Sequence, residues 1–368
     1  MTESEEAIVV DTERRRDELV ERLFAASLGM GELLTVYLGD TLGFYRTLDR
    51  VGATSSTELA KESGTSERLT REWLEQQAAA GILDVDDLSA DADARRYQLP
   101  AGHAEPLLDL DSPYSMAPVC KSFVAISSVT PELVSAFRSG GDVPWGSYGR
   151  DMIEAQGDFN RPWLVASLGT EYIPSIPDIH DRLQQPGARV ADVACGVGWA
   201  AISLARAYPN ITVDGFDLDE LSIEIASKNA EEAGVADRVR FEAKDAADTA
   251  LENRYDLAIV VESIHDMSQP VAVLGAIRNM LKPGGTLIVA DERTEDTFTA
   301  PASETERFFY AYSVLCCLPS ALDDDTSAAT GTVMRRSTFE RYAKDAGFDG
   351  ASVLPIEHDF LRFYRLDR

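Results

Sequence analysis

Cysteine is scarce in this chain of 368 residues: there are four, with Cys316 and Cys317 adjacent and Cys120 and Cys195 standing alone. That excludes a disulfide framework and points to a reducing compartment, the cytoplasm. Long apolar runs are missing as well. No stretch approaches the ~18 residues of a membrane span, and the acidic opening Met1-Thr-Glu-Ser-Glu-Glu is unlike a secretory signal. Lysine occurs only at Lys61, Lys121, Lys228, Lys244, Lys282 and Lys344, so arginine supplies most of the positive charge. With 63 Asp and Glu against 34 Lys and Arg, the net charge is −29. Such a field repels phosphate backbones and argues against nucleic acid as a partner. Solubility alone accounts for it, and so does a salt-rich cytoplasm, where acidic, lysine-poor surfaces are typical. Histidine is sparse too. His103, His180 and His358 are scattered without metal-ligand spacing, and no metal is expected.

The chain is too long for one ordinary core, and its 45% of hydrophobic residues can build a sizeable one. Residues 1–14 are polar and expected to fray. From Glu18 to Leu48 apolar residues recur at helical spacing, with Gly29, Gly31 and Gly43 as candidate breaks. The segments 56–64 and 66–74 each open with a capping-type serine, and Gly64 lies between them, as in a helix-turn-helix. Gly81–Val85 and Arg96–Leu99 then read as the strands of a wing. The second helix of this module carries Glu67, Glu72 and Glu75 against Arg68 and Arg71, with Asp84, Asp86, Asp87, Asp91 and Asp93 beside it. A DNA reader needs a basic stripe. The module is therefore assigned to dimerisation or to covering a substrate. Residues 15–110 are expected to form this winged-helix domain, 111–180 a helical linker and cover, and 181–368 the remaining domain. Within the linker, the glycine-rich loop 140–149 holds Trp145 and Tyr148, suited to cover a ligand or to tuck an aromatic onto the core.

From Arg189 onward strands and helices alternate: Val190–Ala194, Thr212–Phe216, Arg238–Ala243, Leu257–Val261 and Thr286–Ala290. That pattern predicts an α/β fold, a parallel sheet covered on both faces, with ligands beyond the carboxyl ends of the strands. The first strand ends in Asp192 and breaks into a glycine turn, Ala194-Cys195-Gly196-Val197-Gly198, before a helix from Trp199 to Tyr208. Glycines there let the backbone lie against a ligand. Gly196, Gly198 and Ala201 also satisfy the spacing of a dinucleotide turn, with Asp217 about 20 residues on, so two nucleotides remain open at this point.

Later strand ends narrow the choice. Gly215-Phe216-Asp217-Leu218-Asp219, Lys244-Asp245-Ala246-Ala247-Asp248, Glu262-Ser263-Ile264-His265-Asp266-Met267 and Lys282-Pro283-Gly284-Gly285 follow in order. With Asp192, this succession resembles the class I S-adenosylmethionine-dependent methyltransferases over about residues 185–295. The resemblance implies a Rossmann-like domain with a seven-stranded, mostly parallel sheet and an antiparallel edge, the last two strands falling within Phe339–Tyr364. It implies S-adenosylmethionine as cofactor, held by Asp192, the backbone of Ala194, Cys195 and Gly196, Gly198, Asp217 on the ribose hydroxyls, Asp245 on the adenine amino group, Leu218 and Ala246 on the ring faces, and Glu262. Ala194 stands where many relatives have glycine, which is tolerable if its φ is negative.

The segment Glu262–Pro270 resembles that of small-molecule O-methyltransferases with an N-terminal winged-helix dimerisation domain, a group in which a His-Asp pair at this point supplies a catalytic histidine. Over nearly the full length, including Arg307–Tyr312, the chain also resembles bacterial and archaeal winged-helix methyltransferases with a similar His-Asp-Met segment. That implies a homodimer, a small-molecule acceptor, and His265 as general base with Asp291 or Glu292 orienting its imidazole. Trp145, Tyr148, Phe309 and Tyr312 are the expected acceptor wall, since ligand pockets are mostly apolar. A cofactor-sensing transcriptional regulator, a nicotinamide dehydrogenase, and a nitrogen or carbon methyltransferase in which His265 only positions substrate are the alternatives.

Overall fold

The structure, a computed structural model, describes residues 3–248, 251–323 and 326–368. It divides into two compact units, Met1–Val124 and Ala125–Arg368, so residues 125–180 of the expected linker fall within the second.

The first unit opens with one long helix, α1 (Glu3–Thr41), which starts inside the stretch expected to fray and runs unbroken through Gly29 and Gly31. A helical glycine costs only about 1 kcal/mol relative to alanine, too little to interrupt a helix of this length. The break comes at Gly43, whose φ of 70° is left-handed. Helices α2 (Phe44–Val51), α3 (Ser56–Ser63) and α4 (Glu67–Ala79) follow, then the antiparallel wing of β1 (Asp84–Val85) and β2 (Tyr97–Gln98). The cap of α3 is Ser55, one residue before the serine the sequence suggested. Its hydroxyl accepts from the Glu58 amide, and the Glu58 carboxylate accepts from the Ser55 amide at 2.9 Å, a reciprocal capping box. Phe44, Tyr45, Leu48, Leu59, Trp73, Leu74 and Tyr97 form the core. Gly39 permits it: a Cβ there would lie 2.4 Å from the Trp73 ring and 2.6 Å from Tyr45. The free face of α1 is apolar, with Leu19, Val20, Leu23, Phe24 and Leu28 all exposed.

The second unit is built on β3 (Arg189–Val193), β4 (Thr212–Asp217), β5 (Val239–Ala243), β6 (Tyr255–Val261), β7 (Leu281–Glu292), β8 (Ser352–Val353) and β9 (Leu361–Asp367). Their order is β5-β4-β3-β6-β7-β9-β8. The first five are parallel, and β9 runs antiparallel to both β7 and β8. Alternate residues feed opposite faces. Val190, Leu257, Ile259 and Ile288 pack into one layer, while Ala191, Ala258, Val260 and Leu287 pack into the other. That two-sided burial is why the strands read as continuous apolar runs. The Lys282–Gly285 turn expected before the fifth strand is instead a bulge within β7, where the pairing jumps from Tyr255–Leu281 to Leu257–Thr286. The chain runs outward from β3 to β5, returns, and runs outward again from β6. The crevice between β3 and β6 is thus the switch point at which such sheets bind ligands.

Ile259 is fully buried at the centre of this sheet. Ile259→Ala is expected to destabilise the second unit by about 2–5 kcal/mol, whereas Leu88→Ala, at an exposed position, should change stability by less than about 0.5 kcal/mol. Urea unfolding followed by circular dichroism checks both.

Candidate active site

Beyond the carboxyl ends of β3, β4 and β6 lies a cavity of about 530 Å³, the size of a small-molecule site. Asp192, Ala194, Cys195, Gly196, Gly198, Asp217, Leu218, Asp245, Ala246 and Glu262, the ten residues expected to hold a cofactor, all lie on its wall. Each is placed by a local device. Asp192 is 1% exposed and its carboxylate accepts the Ala201 amide at 3.0 Å, tying the strand to the helix Trp199–Ala207. Burial pushes its pKa up to about 7. Ala194 has a φ of 55°, so the negative value expected of a non-glycine residue is not what the turn adopts. It holds a left-handed conformation that glycine adopts freely, at a cost of about 1–2 kcal/mol. Gly198, with φ 86°, has its Cβ position 2.5 Å from the Phe241 ring, so both backbone and space require glycine.

Asp217 sits between this turn and β4. One carboxylate oxygen accepts the Gly196 amide at 2.8 Å and the other the Asp219 amide at 3.0 Å. Each oxygen keeps a second lone pair for a ligand. Asp245 accepts the Ala247 amide at 2.8 Å. Leu218 is 73% exposed and Ala246 buried, so both border the cavity from opposite degrees of cover.

Glu262, after β6, also has a left-handed φ of 45°. Its carboxylate accepts from Gln156 at 2.8 Å and from Asn160 at 2.7 Å, both on the helix Gly149–Trp163. Burial pushes Glu262 up to about 7 despite these bonds. Neither amide was foreseen. An isolated Gln or Asn in a helix carries no sequence signal. Gly157 lets the same helix approach, since a Cβ there would lie 2.1 Å from Val197 of the glycine turn.

Residues 184–335 match the family profile described as a methyltransferase domain, and residues 31–108 match an Rv2258c-like winged HTH domain. Over residues 184–335 the chain is thus similar to methyltransferase domains. Among curated proteins, an O-methyltransferase of Pyrenophora dematioidea is 32% identical over 141 residues, 38% of this chain and 52% of that protein. The 27-O-demethylrifamycin SV methyltransferase of Amycolatopsis mediterranei is 35% identical over 106 residues, 28% of this chain and 39% of that protein. The chain thus spans about half the length of such relatives or less. Two solved structures share its fold over most of their length. Mitomycin 7-O-methyltransferase MmcR has a TM-score of 0.70 at 19% identity, covering 96% of this chain and 99% of that one. Human N-acetylserotonin methyltransferase, in complex with SAM, has 0.66 at 15%, covering 95% and 97%.

The second unit holds another cluster of titratable groups beside the cavity. His265 is 1% exposed. Its Nδ1 donates to Asp291 at 2.8 Å and lies 2.9 Å from Glu292, while Nε2 stands 3.1 Å from Asp266. Burial alone would lower the imidazole's pKa. The carboxylates of Asp266, Glu292 and Asp291 prevail and hold it well above the ordinary value. Burial likewise drives the Glu292 carboxyl up, whereas Asp291, although also buried, is drawn down by the facing imidazole. Asp266 is on the cavity wall, whereas His265, 3.1 Å from it through Nε2, is not among the residues that line the cavity. Of the four residues expected as an acceptor wall, Trp145 borders the cavity. Tyr148 is buried in a neighbouring cluster with its hydroxyl donating to the Leu315 carbonyl, Tyr312 packs against that cluster, and Phe309 is buried against Phe360. Helical spacing of aromatics cannot distinguish a core face from a pocket face, and here packing took three of them.

Asp192 yields a pH prediction. With a folded pKa near 7 against an ordinary 3.8, the native state binds its proton more tightly than the unfolded chain. Stability from this group is therefore present below about pH 4 and lost as pH rises through about 7. Asp192→Asn is expected to flatten that decline and to gain about 1–4 kcal/mol at neutral pH, read from urea midpoints across the range.

Proposed function

We propose that the chain transfers a methyl group from S-adenosylmethionine to an oxygen of a small-molecule acceptor. One observation carries the cofactor assignment: the cavity at the sheet's switch point is walled by Asp192, Asp217, Asp219, Asp245, Glu262, Asp266 and Asp323, with Lys244 as the opposing charge among the described residues. A ligand bearing a sulfonium and an ammonium group suits that wall, and a dinucleotide's pyrophosphate does not. The Asp217 lone pairs left over from Gly196 and Asp219 suit the two ribose hydroxyls. Asp245 suits the adenine amino group between Leu218 and Ala246, and Glu262 suits the ammonium.

The cofactor, when bound, supplies an electrophilic methyl on a positively charged sulfur. What remains for the chain is to orient an acceptor and take its proton. His265 is the proposed base. Asp291 fixes its tautomer through Nδ1, and the surrounding carboxylates stabilise the imidazolium that forms, so the accepting neutral form is reached at alkaline pH.

Two further parts of the reading concern assembly and place. A second copy of the chain is the proposed cover for the exposed apolar face of α1. Dimerisation is favoured over DNA binding for the winged helix because Arg68 and Arg71 of α4 are paired with Glu72 and Glu67 of the same helix. Among the described residues no helix is long and apolar enough to cross a membrane, and a cytoplasmic location is proposed with the four free cysteines in view.

Calorimetry with S-adenosylhomocysteine is expected to show one site per chain, weakened at least about tenfold in Asp217→Ala, one hydrogen-bonded group's worth of binding energy. Absence of binding at any salt concentration defeats the proposal. His265→Ala should bind the cofactor normally and lose about 10²–10⁴-fold in kcat; an unchanged kcat removes the base.

A further inference from the structure

Cys317 reaches the His265 cluster from an unrelated element. It ends a π-helical turn, Ser313–Cys317, of the kind that inserts a residue where side chains must be re-aimed. A nitrogen of His265, a carboxylate oxygen of Asp266 and the sulfur of Cys317 lie within 4.8 Å of one another. The Asp266 Oδ1 that stands 3.1 Å from Nε2 is buried and accepts no hydrogen bond from the described residues. On the other side of the ring the Nδ1 proton is committed to Asp291. When the imidazolium gives up its Nε2 proton, the Nε2 lone pair is left among an anionic oxygen and a sulfur. Three electron-pair donors then converge beside the cavity, a place where a metal cation can replace the Nε2 proton.

We propose that His265 Nε2, Asp266 and Cys317 bind a zinc ion. Zinc takes imidazole, thiolate and carboxylate ligands at about 2.0–2.3 Å, which in a tetrahedron sets ligand atoms roughly 3.3–3.6 Å apart. The observed 3.1 Å between Nε2 and Asp266 needs an adjustment of a few tenths of an ångström. Thiolate with imidazole disfavours magnesium and calcium. Asp266 borders the cavity, so three protein ligands leave a fourth position on that side, as in open zinc sites. Asp291 supplies the outer carboxylate that orients a ligating histidine. Binding releases two protons to solvent, the Cys317 thiol proton and the Nε2 proton of the imidazolium, while the Nδ1 proton stays on Asp291. Zinc on Nε2 also removes the lone pair that would accept the substrate's proton, so the ion acts as an inhibitor. That last consequence rests on the base assignment above, and the site itself does not.

The full-length protein is titrated with zinc chloride by calorimetry and with cobalt chloride by absorbance, in chelator-free buffer. The native chain should take up one ion and show a thiolate-to-cobalt charge-transfer band. Cys317→Ser should lose the band and weaken zinc binding by more than the 10–100-fold typical of an outer-shell change, with its far-ultraviolet circular dichroism unchanged. If that variant does not fold, Asp266→Asn carries the same expected loss of zinc affinity. No zinc uptake by the native chain, equal uptake by the folded variant, or a cobalt spectrum without the thiolate band each overturns the site. Cofactor binding is measured separately on the native chain, so failure of zinc binding and failure of the methyltransferase reading are distinguishable.

Discussion

Carboxyl groups gathered in low dielectric at the carboxyl ends of the parallel strands are the constraint to which the rest of the second unit answers. Asp192 is the last residue but one of β3, Asp217 ends β4, Glu262 follows β6, and Asp291 and Glu292 end β7. An isolated buried carboxylate is costly, so each must find donors or give up its charge. Asp192 and Asp217 recruit backbone amides of the glycine turn and its helix. Glu262 recruits Gln156 and Asn160, and Asp291 recruits His265. The donors are then as fixed as the acids. The turn cannot reposition without stranding Asp217, and the helix Gly149–Trp163 cannot withdraw without stranding Glu262. Bonds that satisfy the acids therefore also preorganise the pocket, which lowers the ordering cost of binding.

The compensation is incomplete. Burial leaves Asp192 and Glu262 near pH 7, and Asp217 and Glu292 are raised as well. A cationic ligand would supply the missing charge and return these groups to their ionised forms. Binding and protonation are in this way opposed. The chain's overall charge of −29 adds a long-range field of the same sign as the pocket, which salt screens outside the protein and hardly inside it.

Most of the scaffold was legible in the sequence because it rests on local signals. Strand periodicity placed five parallel strands, and glycines marked the turn after β3. Two serine-led helices around Gly64 marked the winged helix. The misreadings share a physical cause. The continuity of α1 through Gly29 and Gly31 depends on length outweighing two small penalties. The cap of α3 at Ser55 instead of Ser56 depends on which hydroxyl the Glu58 amide can reach. Gln156 and Asn160 were invisible, since only the fold brings them to Glu262. Tyr148, Phe309 and Tyr312 carry the same apolar pattern whether they line a pocket or fill a core.

Ala194 is the most informative departure. It and Glu262 are the residues that immediately follow β3 and β6, the adjacent strands at the switch point, and both adopt left-handed φ values, 55° and 45°. Neither is glycine, so each stores about 1–2 kcal/mol of backbone strain. The strain is sustained by bonds on either side: the Cys195 amide donates to the Phe216 carbonyl, and the Glu262 amide to Ala290 at 2.7 Å. These bonds continue the ladders with β4 and β7 while the left-handed residues turn the chain out of the sheet. Two neighbouring parallel strands that part in this manner open a crevice between their ends. Extended φ at either residue would carry its strand onward and narrow the space into which Asp217 and Glu262 point their carboxylates. The cavity therefore exists where it does because strain at two non-glycine residues is held in place by ladder bonds to the flanking strands.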